Sequence, residues 1–210
     1  MYDKTIHIVT CEYLEQEIRK ILEKVKWEVS VHFFPHNCEG RVDLLKELEL
    51  LREENGGKGH LWLLVGGSCI GSLDIPFQAE EGVHTLCREQ CSFLLGEAGS
   101  LKKHQQEGAY IVTAGGLGAW GQHIEEWGFT QKVAQEFFQE WCTSIALVDT
   151  GVNPRSTLDL KDFAQYVDRD CQVIAADVNQ FALYLTQTVY EMVQGRQNAK
   201  YPIRHNASPM

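Results

Sequence analysis

The sequence predicts an α/β protein: a mainly parallel sheet with helices on both faces, arranged as two Rossmann-like lobes. Two observations carry that prediction. Short runs of aliphatic and β-branched residues alternate with longer runs of helical periodicity. The apolar runs also end in small or polar residues such as Gly66-Gly67 and Asp149-Thr150-Gly151, which suits connections between parallel strands and helices. At 210 residues, with 44% hydrophobic and 23% charged residues, the chain has material for one large domain or two joined lobes.

The first strand is Thr5-Ile6-His7-Ile8-Val9-Thr10-Cys11, followed by a helix over 12–25 with Leu14, Ile18, Ile21, Leu22 and Val25 on one face. A second strand spans 27–34 and is closed by Pro35. A second helix covers 41–54, with Leu44, Leu45, Leu48 and Leu51 as its apolar stripe, and Gly56-Gly57 stops it. The third strand, 60–65, is continuously apolar and ends in Gly66-Gly67-Ser68-Cys69. A looser stretch leads to a short strand over 83–87 and helical turns at 92–95 and 101–106. Strand 109–113 ends at Ala114-Gly115-Gly116, and one long helical region covers 124–141. Strand 144–148, helix 158–167, strand 172–176 and helix 180–193 complete the alternation. We read 1–194 as one α/β domain with lobes at 1–108 and 109–194, and 195–210 as a tail or linker.

The formal net charge is −10, from 19 basic and 29 acidic residues, without a Lys/Arg run. Binding to a nucleic-acid backbone needs a basic face, so no nucleic-acid partner is expected. No apolar run reaches the roughly 20 residues of a membrane helix, and the start lacks a signal-peptide pattern. A cytoplasmic location follows as the expectation, and with it seven reduced cysteines rather than disulfides.

In open parallel sheets, ligands sit where loops leave the carboxyl ends of the strands. Five of the seven cysteines lie at or just past such ends: Cys11, Cys38, Cys69, Cys87 and Cys91. Thiolate and imidazole are the ligands favoured by zinc and iron-sulfur clusters. Cys11, Cys69 and Cys91 could form one face of such a site, completed by Cys87, Cys38 or His36. The Cys87-x-x-x-Cys91 spacing would bring both sulfurs to one side if it lies on a helical turn. Against this, there is no Cys-x-x-Cys pair, and reduced cysteines are commonly buried small hydrophobes. That plainer reading is given to Cys142 and Cys171.

Gly66-Gly67-Ser68 and Gly115-Gly116 follow strands. Gly67, Ser68, Gly115 and Gly116 are therefore candidates for backbone contact with a cofactor, or else simply tight turns. Neither run matches a nucleotide-binding fingerprint. Asp149 and Asp177 read as helix caps or site residues alike. His84, His104 and His123 read as plain surface residues, and Trp120 and Trp127 as packing.

The order of motifs resembles the bacterial and archaeal family catalogued as domain of unknown function 1638. Six short stretches carry the likeness: Cys11-Glu12, Phe34-Pro35-His36-Asn37, Gly67-Ser68-Cys69, Cys91 leading to Leu94-Leu95-Gly96, Tyr110 to Gly116, and Leu147 to Gly151. It implies recurring cysteines at Cys11, Cys69 and Cys91 and an association with corrinoid-dependent methyl-transfer systems. The family usually has His-Asp where this chain has Glu89-Gln90, and Pro-Gly-Trp where it has Ala114-Gly115-Gly116.

The resulting expectation is an accessory protein that binds zinc or an iron-sulfur cluster. It would serve a corrinoid protein or methyltransferase in methyl transfer or electron delivery, with a corrinoid itself as a further cofactor. A ligand-sensing module of a signalling protein, or a thiol enzyme using Cys69 beside Gly66-Gly67, are the competing readings.

Overall fold

Residues 5–25, 27–36, 44–55, 59–71 and 82–195 are described in the computed structural model. The strands in chain order are β1 (Ile6–Cys11), β2 (Val29–Phe34), β3 (Leu61–Gly66), β4 (Val83–Cys87), β5 (Ala109–Thr113), β6 (Ser144–Asp149) and β7 (Asp170–Ala175). They form two parallel sheets, ordered β2-β1-β3-β4 and β5-β6-β7. The α/β class and the parallel pairing are therefore as the alternating pattern predicts. Every residue of β3 is buried, because the strand is central and covered on both faces, which explains its unbroken apolar run.

A 3-10 turn, Glu12–Leu14, links β1 to α1 (Glu15–Val25), whose Ile18 and Ile21 are fully buried. Helix α2 (Leu44–Glu54) covers the opposite face of the first sheet, with Leu44 and Leu48 packed on Val9, Trp62 and Leu64. Short helices α3 (Ser68–Gly71) and α4 (Ser92–Leu95) follow β3 and β4. Helix α5 (Ala98–Gln106) begins at Glu97, whose carboxylate accepts from the Gly99 and Ser100 amides.

The second sheet is wrapped by α6 (Ala114–Gly118), α7 (Trp120–Glu126), α8 (Gln131–Trp141) and α9 (Ser156–Tyr166). The expected single helix over 124–141 is two helices. Gly128 takes a φ of 70°, which ends α7, and the Thr130 hydroxyl accepts from the Val133 amide to start α8.

The last helix, α10 (Val178–Val193), leaves the second sheet and packs against the first. Phe181, Leu185, Val189 and Met192 join Ile8, Ile18, Leu63 and Phe93 in one core. Val148 of β6 belongs to that core too, with Ile111 and Ile174 against it. The two sheets thus share a hydrophobic centre, which holds their strand ends in fixed relation. Among the described residues no helix is long and apolar enough to cross a membrane.

Glu17 of α1 sits fully buried at this junction and accepts a hydrogen bond from the Thr150 hydroxyl at 2.9 Å. Its other oxygen, Oε2, has no partner among the described residues. Burial pushes its carboxyl above the ordinary carboxylate range, against a smaller opposing pull from the Thr150 bond. The folded state therefore binds this proton more readily than the unfolded chain, and stability is lost as pH rises through the elevated value. Glu17→Gln should stabilise the protein by about 1 kcal/mol at pH 8. That gain should vanish as the pH approaches the unfolded carboxyl range, about 4.3. Urea denaturation at both pH values measures it; an unchanged gain at low pH would contradict the assignment.

Candidate functional site

The carboxyl ends of β3, β4 and β5 converge on a cavity of about 370 Å³ between the two sheets. One wall comes from loops of the first sheet, including Ser68, Cys69, Gln90 and Cys91. The other is apolar and aromatic, with Leu117, Trp120, Trp127 and Phe163 from the helices around the second sheet. Its volume lies in the range of small-molecule sites, and its position is the one that open α/β sheets favour.

Local chemistry explains how each wall is held. Gly67 lets the chain pass against the loop before α4: a Cβ there would lie 2.9 Å from the Cys91 amide nitrogen. Thr113 ends β5 and caps α6, its hydroxyl accepting from the Gly116 amide at 3.3 Å, and both residues line the cavity. Gly115 does not line it. A Cβ on Gly115 would lie 2.7 Å from Tyr13 Cα, so its role is close approach of α6 to the turn after β1.

Tyr13 is a residue the sequence reading did not select. Its hydroxyl is hydrogen-bonded to His123 Nε2 of α7, and both side chains line the cavity. This pair joins the first sheet's strand end to a helix of the second half. His36 stacks on the Tyr13 ring, with centroids 5.1 Å apart and planes 7° from parallel. The His36 amide donates to the Glu12 carboxylate at 2.9 Å, and the far side of its ring reaches Glu126 at 3.6 Å. His123 is thus a cavity residue, not the plain surface residue that its neighbours in sequence suggested.

The predicted cysteines part company in space. Cys69 and Cys91 line the cavity. Cys11 is 2% exposed and belongs to the core beneath α2, where Cys69 and Cys87 also pack. Cys91 packs on the other core, the one shared by both sheets. Burial pushes the Cys87 thiol up to about 12, with a smaller rise from neighbouring Cys69 and opposing pulls from Thr85 and Arg88. Such a thiol stays protonated at neutral pH and is a poor nucleophile. Cys38 lies outside the described residues.

Among the described residues no group of three or more His, Cys, Asp or Glu side chains is arranged to hold one metal ion. Cys142 is buried, as expected of a small hydrophobe, but Cys171 is exposed because β7 is an edge strand. Asp177 caps α10, whereas Asp149 closes the turn after β6 and caps no helix. Asp149 accepts from the Gly151 amide and the Ser156 hydroxyl, and Asp177 accepts from the Asn179 amide at the start of α10.

No family model matches this chain, and no curated protein sequence does. Solved structures offer distant likenesses. A LacI-family transcriptional regulator from Rhizobium etli is 12% identical over 92% of each chain, with a TM-score of 0.36. The transcription regulator CcpA of Lactococcus lactis is 9% identical over 91% of this chain and 92% of its own, at a TM-score of 0.40. An ABC domain in complex with L-Trp from Streptococcus pneumonia is 8% identical over 95% and 88%, at 0.41. Likeness at this level does not bear on activity or ligand.

Proposed function

We propose that the protein binds a small organic molecule in the cleft between its two sheets. The supporting observation is the cavity itself, of about 370 Å³, with an aromatic wall on one side and hydroxyl, amide and thiol groups on the other. Among the described residues no Lys or Arg side chain lines it, and the one carboxylate that does, Glu89, is paired with Lys102 at 2.9 Å. The ligand is therefore an uncharged, largely apolar molecule, oriented by polar loop groups such as Gln90 and Tyr13. Trp120 and Trp127 make the test direct. A library of small neutral aromatic and heterocyclic compounds should contain members that change tryptophan emission and raise the melting temperature. Gly67→Val, which pushes a side chain onto the Cys91 loop, should weaken binding at least tenfold. Equal binding by this variant, or a library without one ligand, would count against the cleft.

A second reading keeps the metal expectation, because Cys69 and Cys91 share one cavity wall with Cys87 next to Cys69. On that reading the protein is an accessory to corrinoid-dependent methyl transfer or electron delivery, and its two cavity thiols hold zinc or a cluster whose remaining ligands come from elsewhere. Anaerobic purification with elemental analysis and a visible spectrum tests it. Cys69→Ala should lose the metal while the circular dichroism stays unchanged, and Cys142→Ala should retain it. Metal retained in full by Cys69→Ala, or absent from the parent protein, would leave the organic ligand as the reading.

A further inference from the structure

Three histidines meet on the face of the first sheet that α2 covers, and none of them lines the cavity. His7 of β1 is 1% exposed and sits between His32 of β2 and His60, the residue before β3. His7 Nδ1 is 3.0 Å from His32 Nε2, and His7 Nε2 is 2.7 Å from His60 Nδ1. The His7 and His32 planes are within 16° of parallel with centroids 5.3 Å apart. A nitrogen separation of 3.0 Å is close to the shortest those centroids allow, so the two rings meet end to end. Trp62 lies flat against His7, with centroids 4.1 Å apart, and fixes the central ring.

This arrangement suits protons and not a metal ion. The two nitrogens of His7 lie on opposite edges of its ring, so one ion cannot take the nitrogens of all three residues. Each N···N hydrogen bond needs one proton, no more and no fewer. The two bonds therefore hold two protons on four nitrogens, leaving His32 Nδ1 and His60 Nε2 as outward positions. Three neutral imidazoles carry three protons in all, so the intact chain has room for one more and no second.

We propose that His32, His7 and His60 form a single proton-binding site that takes up one proton with its bonds intact and admits a second only when a bond breaks, making the first sheet acid-labile. The electrostatics agree. Burial, then the charges of His32 and His60, bring His7 down to about 4. Burial also lowers His32, partly offset by Glu54, which faces it from the end of α2. A histidine held below its unfolded value, about 6.5, contributes stability that is complete above that pH and lost as pH falls toward the folded value. For His7 this amounts to a fall of roughly fortyfold in the folded-to-unfolded ratio between pH 6.5 and 4.5.

The test uses the full chain with 15N-labelled histidine imidazoles, titrated from pH 8 to 4.5, with urea unfolding at each pH. The three rings should together gain no more than one proton while the native spectrum persists. The folded-to-unfolded ratio should fall in the parent by at least the roughly fortyfold that His7 alone contributes. In His7→Gln and His60→Gln the fall should be several times smaller, measured as a difference so that Glu17 cancels. If His7→Gln does not fold, His60→Gln and the parent's titration decide. Three rings each reaching full charge with the native spectrum intact, or an undiminished fall in a folded variant, would overturn the proposal.

Discussion

Replacing Gly115 by alanine should cost about 3 kcal/mol of stability, one of the largest losses open to a single methyl group in this protein. The Cβ would stand 2.7 Å from Tyr13 Cα and 2.8 Å from its carbonyl carbon, both backbone atoms that cannot swing aside. Tyr13 is fixed on both sides: β1 precedes it in the sheet, and its hydroxyl is tied to His123. Helix α6 would have to move off the turn, taking Thr113 and Leu117 of the cavity wall with it. Binding in the cleft should weaken along with stability. Gly118→Ala is the matched control, in the same short helix with nothing within 4 Å of the added carbon. It should be neutral or stabilising by up to about 1 kcal/mol, since alanine is the better helix former. Urea denaturation of the two variants measures the contrast, and equal stabilities would show that the approach of α6 to Tyr13 is soft.

Strand and helix order was legible because each element writes its period locally: β3 as an unbroken apolar run, α1 and the turn before it as Leu14, Ile18 and Ile21 at helical spacing. The break between α7 and α8 was legible too, in Gly128 and Thr130, but the apolar periodicity on either side outweighed those two signals. What a strand end does in space is written less locally. Cys11 ends β1 and Cys91 follows β4, yet they pack on different cores, because the face each meets depends on strand order and connection. Cys171 is exposed for the same reason: nothing near it in sequence says that β7 is an edge. The Tyr13–His123 pair joins residues 110 positions apart, and the His7–His60 contact joins residues 53 apart. His7 alone carried a usable hint, a polar ring in the middle of an apolar strand, which asks for a buried partner.

The last helix provides the second large effect. Phe181→Ala should lower stability by about 4 kcal/mol, a large share of what a domain of this kind possesses. Phe181 is fully buried and belongs to the core that holds Leu63 and Phe93 from the first sheet's side and Val148 from the second's. Removing its ring leaves a cavity in packing that both sheets rely on. A matched change in the second sheet's own core, Phe163→Ala, separates two architectures. Phe163 contacts Phe138 edge-on at 5.4 Å and belongs to the core around β6, not to the one that α10 joins. If α10 is the clasp between the sheets, Phe181→Ala should lower the unfolding midpoint of both halves together. That would be read as one transition in fluorescence from Trp62 in the first sheet's core and Trp120 in the second's, using variants that retain one tryptophan at a time. Two separated transitions in the parent protein, or a loss confined to the Trp62 signal, would mean that the halves fold independently and that α10 merely rests on the first.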